Sequence, residues 1–464
     1  MEVRVIMDQE RWPVVFELDV GQSYRVSRKV DGVSVVRTVA LTGVEHRWQP
    51  DYWCTDNPKR RILEEARVSV EVDGQPYTLL ARPYQFPVNV NGLRLYVETT
   101  RTWAHEARYA RMEDVGRKVR FSAVAEGESW GPAALLFPMP SYRWHSSTYN
   151  NTWLQIVPYN HLYYHRGEDC GAIPDRLDVV SPWSGNVVRS PVPNGDGRSN
   201  GLTVRHADGI EVRFGHMNIE HIPKALATGR SVEAGVRLGC TGSTWSGRKA
   251  QHNDPHVHVG FHWQDARISP YPFLIEAYFR DMPDALIPNA GGYAFTKPGR
   301  PVTLDATRSL ARPGQRIVSH AWELHDGRTL AEPVAETVYS QPGLYSETLV
   351  VRTDDGTEDR DFLQVRVFDP ERGRNMARGW IHMVPGRGLE PGQRALFWNR
   401  LTAVHDAIID FGDGSKRRPF RSQARHAYNE PGLYTVTVCG TGPGAEPVTV
   451  RLRVVVEPGT QKGL

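Results

Sequence analysis

Along much of this chain apolar and polar residues alternate one by one, the period of strands with one buried face, and runs of helical period are short. Val68, Val70 and Val72 alternate with polar neighbours, Asp73-Gly74 supplies a tight turn, and Tyr77-Thr78-Leu79-Leu80 returns, a pattern that predicts a hairpin. Strands are expected over 35–41, 93–99 and 118–125 as well, together making a β-sandwich interrupted by two short helical patterns at 58–67 and 105–115. A second hairpin is expected over 202–216: Thr203-Val204-Arg205, a turn at Ala207-Asp208-Gly209, then Ile210, Val212 and Phe214 alternating with Glu211 and Arg213. His216 falls just past the end of that strand. Further on, Val257 and Val259 alternate with His256, His258 and Gly260, so both imidazoles project from one face while the valines enter a core.

Beyond residue 284 an internal repeat emerges. Trp322-Glu323-Leu324-His325-Asp326-Gly327 and Pro342-Gly343-Leu344-Tyr345 recur as Ile409-Asp410-Phe411-Gly412-Asp413-Gly414 and Pro431-Gly432-Leu433-Tyr434, each followed by a β-rich run over 346–352 or 435–438. The Asp-Gly pair makes a tight turn and the Pro-Gly-x-Tyr turn delivers a tyrosine to a sandwich core. The pattern resembles polycystic-kidney-disease (PKD) repeats, immunoglobulin-like β-sandwiches common in secreted bacterial enzymes. Asp410 and Asp413 read as turn formers, because the spacing lacks the many oxygen ligands that calcium takes.

Composition narrows the function classes. The chain has 464 residues, 40% hydrophobic and 23% charged, enough for several globular cores. A formal charge of +3 gives no reason to expect a nucleic-acid groove or a polybasic membrane surface. No apolar run reaches the roughly 18 to 20 residues of a membrane helix. Met1-Glu2-Val3-Arg4 lacks the layout of a signal peptide, and the architecture favours an exported chain (secreted, periplasmic or cell-surface) whose leader has been removed. The four cysteines, at 54, 170, 240 and 439, show no C-x-x-C spacing and suggest neither a disulfide framework nor a thiolate zinc knot. Cys170 and Cys240 abut the motifs below, and the reading stays open between one bridge and two buried thiols.

The chemistry lies in four stretches taken in order: His165-Arg166-Gly167-Glu168-Asp169, Phe214-Gly215-His216, Gly239-Cys240-Thr241-Gly242-Ser243 and Pro255-His256-Val257-His258. A catalytic zinc site needs three ligands of the His, Asp, Glu or Cys kind and an open position for water, whose pKa the ion lowers to roughly 7. His165, Asp169 and His258 can supply the ligands, with His216 and His256 left to handle protons. The H-x-x-x-D start, the G-H-M, the G-x-x-L-G-x-x-G region and the final H-x-H resemble the LytM/lysostaphin family of zinc metalloendopeptidases, of the duplicated hybrid motif fold, which cleave peptide cross-links of bacterial cell walls. The resemblance covers about 155–265, with lesser landmarks at 180–188 and 232–239. It implies His165, Asp169 and His258 as zinc (Zn2+) ligands, and His256 and His216 as the pair that activates water and stabilises the tetrahedral intermediate. Two departures flank the metal: the long segment 244–254 before Pro255, and Cys170-Gly171 with an acidic loop after Asp169. Tyr163 and Tyr164 are candidates for an oxyanion hydrogen bond or for burial. His206, His221, His252 and His262 read as loop or structural histidines.

The expected architecture is mainly β and multidomain: an N-terminal β-sandwich of unassigned role over 1–140, a LytM-like catalytic domain over 141–284, and PKD-like sandwiches over 285–370 and 371–464. The repeats, joined through exposed Pro-containing linkers at 287–288 and 369–370, are expected to stand apart from the chemistry. A zinc endopeptidase acting on a polymeric cell-wall substrate is the leading reading. A polysaccharide lyase or other glycan-active enzyme using the same zinc and histidines stays open, as does a non-catalytic zinc-stabilised binding protein. The expected partners are cell-wall or polysaccharide polymers, with no nucleic acid, no membrane insertion and a monomeric state.

Overall fold

The computed structural model describes residues 12–30, 32–52, 57, 59–106, 115–144, 150–158, 162–245, 248–249, 254–282, 285–369, 371 and 375–459. It is mainly β and multidomain, as the alternating pattern requires. The N-terminal region forms two four-stranded sheets. One runs Val14–Leu18, Val119–Ala125, Leu93–Thr100, Val88–Val90, and the other Ser23–Val30, Val33–Pro50, Arg61–Val72, Gln75–Ala81. Phe16, Leu95 and Phe121 from the first meet Val26, Val39, Val68 and Val70 from the second in one core. The Asp73-Gly74 hairpin forms as expected, both turn residues taking positive φ, and Val72 faces Gln75.

The helical pattern at 58–67 is overturned. Residues 61–67 belong to the strand Arg61–Val72, which pairs with Val33–Pro50 along its whole length. Leu63-Glu64-Glu65-Ala66 favours a helix locally, but the 18-residue neighbouring strand offers a full ladder of backbone partners, and Ile62, Leu63 and Ala66 are buried by joining it. Register shifts within the pair accommodate the departure from strict alternation. Of the second helical pattern, only the end of the short helix Arg101–Glu106 is seen, and 107–114 lie outside the described residues.

The central sheet has seven strands. Its path is Glu168–Gly171, His256–Trp263, Glu211–Gly215, Leu202–His206, Gly185–Arg189, Ser231–Val232, with Ala266–Ile268 added beside His256–Trp263. The hairpin expected over 202–216 is present, with Leu202 opposite Phe214 and Arg205 opposite Glu211. Beneath it lies the helix Tyr271–Asp281, with Pro272 in its first turn. The helix buries Phe273, Leu274, Ile275 and Ala277, and the Phe273 ring meets Phe261 at 5.0 Å, Trp12 at 6.1 Å and Trp130 at 6.4 Å. Trp12, Tyr96 and Trp130 therefore share one core with Val212, Phe214, Val257 and Val259 of the central sheet.

The C-terminal repeats form a second large sheet that crosses from one repeat to the other. Gly343–Thr353 pairs with Glu358–Val367 in the first, Gly432–Thr441 with Pro447–Val456 in the second, and a parallel contact of Leu344 with Val448 joins them. The first linker, expected to be exposed, is not: Ile287 and Pro288 are buried beside the buried Leu286, and Ile287 bridges to Leu310, while Asp369 of the second is half-buried. Pro370 lies outside the described residues. Further contacts fasten the repeats to the rest of the chain. Arg82 pairs with Asp305 at 2.7 Å, Arg143 with Glu457 at 2.9 Å, and Arg453 donates to the Trp144 carbonyl at 2.9 Å. No helix among the described residues is long and apolar enough to cross a membrane.

Candidate metal centre and its cleft

Adjacent strands bring the site together. Asp169 on Glu168–Gly171 lies opposite His258 on His256–Trp263, and His258 lies opposite Gly215 on its other side, so the pleat turns Asp169, His256 and His258 to one face. His165 follows the short strand Leu162–Tyr164, its N–H donating to the Gln155 carbonyl at 2.7 Å. Gly167 lets these segments touch: a Cβ there would stand 2.5 Å from the His258 ring and 2.6 Å from the Val259 carbonyl.

His165 Nε2, Asp169 Oδ1 and His258 Nδ1 form a compact triangle. Its edges are 3.1 Å between the two imidazoles, 3.1 Å from His165 to Asp169 and 2.9 Å from His258 to Asp169. This His/Asp/His group could hold a metal ion. Ligands at zinc distances of about 2.0 to 2.1 Å in a tetrahedron stand about 3.3 Å apart, close to the observed edges, and the donor set of two imidazoles and a carboxylate suits zinc. Asp169 is fully buried. Burial alone would raise its pKa, but electrostatic attraction to the neighbouring His165 and His256 and hydrogen bonds from His165 and His258 outweigh that and hold it well below the usual carboxylate range. Burial pushes His258 down to about 4, so its imidazole stays neutral at ordinary pH, the form in which histidine ligates.

His216 and His256 stand beside this group, their ring centroids 4.5 Å apart. Each donates Nδ1–H to a backbone carbonyl, His216 to Thr244 at 2.9 Å and His256 to Asp254 at 2.7 Å, which leaves Nε2 as the nitrogen that exchanges protons. His216 has φ of 67°, a left-handed conformation uncommon for a non-glycine residue and concentrated at functional sites. The Gly-rich turn packs against it, since a Cβ on Gly242 would stand 2.4 Å from the His216 carbonyl. Burial, then the charges of His256 and His258, push the His216 pKa well below its ordinary value.

Other sequence candidates separate. Tyr163 lines the cleft, and burial followed by the Asp169 charge pushes its pKa up, so the hydroxyl remains a donor. Tyr164 instead accepts the Leu63 N–H at 2.7 Å within the N-terminal core. His206 packs its ring on Trp12 and Trp183, and His221 pairs with Asp175 at 3.3 Å, both structural roles. His262 lines the cleft, and His252 lies outside the described residues. Cys170, Cys240 and Cys439 are free thiols, so no Cys170–Cys240 bridge is present, and Cys54 lies outside the described residues.

Sequence reasoning missed two supports of the carboxylate. Asn151 donates Nδ2–H to Asp169 Oδ2 at 2.8 Å and accepts the Asp169 N–H at its own carbonyl, also at 2.8 Å. Tyr293, from the first C-terminal repeat, places its hydroxyl 3.0 Å from Asn151 Oδ1 and 2.6 Å from the Ile156 carbonyl. No local motif marks either residue. The repeats thus reach the second layer of the site, against the expectation that they stand apart.

A β-sheet cleft thus gathers a three-donor group that could hold a metal ion and two further histidines beside it. The sequence matches peptidase family M23 over residues 163–270 and the PKD domain over 285–367, so the chain carries a peptidase M23 domain followed by a PKD domain. Among solved structures, the chain is similar to a candidate glycyl-glycine endopeptidase LytM from Ruminococcus gnavus, 22% identical, covering 31% of this chain and 61% of that one with a TM-score of 0.23. It is also similar to the fibronectin(III)-like modules of Clostridium thermocellum CbhA, 9% identical, covering 37% of this chain and 92% of that one with a TM-score of 0.14.

Proposed function

We propose that this protein is a zinc-dependent endopeptidase that cleaves peptide cross-links of a cell-wall polymer outside the cytoplasm. The observation that carries the reading is the convergence, inside an M23 domain, of His165, Asp169 and His258 with His216 and His256 in one cleft. Zinc held by His165, Asp169 and His258 would supply Lewis-acid polarisation and lower the pKa of a water there. The chain's own residues do the rest. Asn151 fixes the outer oxygen of Asp169 so that the inner one faces the donor group. His216 and His256, with Nδ1 held by carbonyls, take and return a proton at Nε2, one toward the attacking water and the other toward the leaving amine. Tyr163 offers its hydroxyl to the oxygen on which charge develops.

The test is incubation of the zinc-loaded protein with purified peptidoglycan and with a panel of uronate-containing polysaccharides, the products being identified by mass. New free amines on the peptides are expected. A 4,5-unsaturated uronate end would replace this reading with a lyase, and no product from either would leave a binding protein.

A further inference from the structure

The cleft, of about 570 Å³, extends well beyond the donor group. On His256–Trp263 the residues His256, His258, Gly260 and His262 share one face. Register places Gly215 opposite His258, Arg213 opposite Gly260 and Glu211 opposite His262, with Thr203 and Arg205 on the next strand beside Arg213 and Glu211. Arg267 lies opposite His262 from the other side. One pleated face therefore forms a continuous floor, while Val212, Phe214, Val257, Val259 and Phe261 line the buried reverse. Two residues advance a strand by about 7 Å, so Arg213 stands one such step from the donor row and Glu211 about 14 Å away.

This floor is positively charged. Arg166, Arg189, Arg205, Arg213 and Arg267 line the cleft, and the only carboxylates lining it among the described residues are Asp169 and Glu211. Asp169 belongs to the donor group, and Glu211 is engaged by Arg205 at 2.6 Å. Arg189 reaches Asp196 at 3.4 Å. Among the described residues Arg213 hydrogen-bonds the Ser199 hydroxyl, at 3.4 Å, the Asp196 carboxylate acts on it only through its charge, and its guanidinium lies against Gly201, 2.6 Å from where a Cβ would be. Burial, then the charges of Arg189 and Arg267, lower its pKa below the ordinary arginine value. Crowded like charges work against folding, and an arriving anion relieves them. Their concentration here contrasts with a whole-chain charge of only +3.

We propose that this arm of the cleft binds a carboxylate of the peptide substrate, an acidic side chain or free chain end two to four residues from the scissile bond, with Arg213 as the principal contact flanked by Arg189 and Arg267. The spacing follows from an extended peptide, which covers about 7 to 14 Å in two to four residues. A guanidinium suits the task because its fork matches both carboxylate oxygens. The proposal rests on the peptidase reading for the position of the scissile bond, and its test separates the two.

Labelled hexapeptides with a central Gly-Gly flanked by alanines, carrying Glu or Gln three residues to either side, are made in amide form and with a reduced, non-hydrolysable central bond. Anisotropy titration of the zinc-loaded full chain with the reduced peptides reads binding alone, and the amide forms read kcat/KM. On one side of the bond the Glu peptide is expected to bind about tenfold more tightly than the Gln peptide at 50 mM salt, with the advantage shrinking at 500 mM. Arg213→Gln brings the ratio toward one, Arg213→Lys keeps part of it, and Arg213→Glu turns the preference toward a Lys-bearing peptide, a reversal that misfolding does not produce. Equal affinity for Glu and Gln on both sides, a preference untouched by Arg213→Gln, or tighter binding of a uronate oligosaccharide than of the Glu peptide overturns the proposal. If the amide peptides bind with the expected preference and none is cleaved, the peptidase reading fails while the carboxylate site stands.

Discussion

At the scale of residues, the site consists of a legible part and a hidden part. His165, Asp169, His216, His256 and His258 announce themselves because they sit in short motifs with fixed spacing, and the structure brings all of them into one cleft. We expect His165→Ala, Asp169→Ala and His258→Ala each to lose bound zinc in elemental analysis, because three ligands hold it together. His216→Ala and His256→Ala should keep the metal yet lose about 100 to 10,000-fold in rate, the usual weight of a positioned proton-transfer group. An unchanged rate in either variant would remove it from the machinery. Asn151 and Tyr293 are the hidden part, since their link to Asp169 spans distant positions with no local pattern. Asn151→Ala is expected to weaken zinc binding by about 10 to 100-fold, and Tyr293→Phe by less in the same direction, as read by competition with a metal-chelating dye. Affinity equal to the parent in both would show that Asp169 needs no such support.

At the scale of elements, strands with clean alternation were readable and those governed by neighbours were not. The hairpin around Asp73-Gly74 and the pair spanning 202–215 follow from turn chemistry and alternation within a few residues. The segment 61–67 does not, because its backbone partners come from the strand Val33–Pro50 and no local window contains them. The strand Ile381–Val384 holds a further case. His382 is fully buried there, and neither ring nitrogen has a hydrogen-bond partner among the described residues. Burial, then the Arg400 and His256 charges, push its pKa down to about 3. Its folded pKa thus lies below the ordinary value of about 6.5, so the unfolded chain takes up this proton first as pH falls. Its contribution to stability is complete above about pH 6.5 and is lost on acidification toward pH 3, at up to about 1.4 kcal/mol per pH unit. Urea unfolding at pH 7, 6, 5 and 4 should therefore show a flatter decline for His382→Leu than for the parent. Parallel declines would mean that His382 is not held neutral in the fold.

At the scale of the whole molecule, the mainly β, multidomain character was visible in the sequence, but the dependence of its regions on one another was not. Turn motifs reveal a repeat, whereas the burial of Leu286 and Ile287 and the reach of Tyr293 to Asn151 depend on surfaces that meet only after folding. A chain ending at 284 loses Tyr293 together with the partners of Arg82, Arg143 and Trp144. It is expected to melt several degrees below the full chain and to bind zinc more weakly, as judged by calorimetry and metal titration. Identical melting and zinc affinity in the two chains would restore the picture of repeats that stand apart.

The strict division of the central sheet into two faces carries a consequence for how such a protein diversifies. Residues at 203, 205, 211, 213, 262 and 267 touch the cleft, whereas their neighbours at 204, 212, 214, 257 and 259 hold the interior. Selection acting on substrate choice and selection acting on folding therefore read different positions of the same strands, in alternation. A lineage can change the one set while the other stays constant, so a new specificity is reachable through single substitutions that each leave the core and the group of His165, Asp169 and His258 in place.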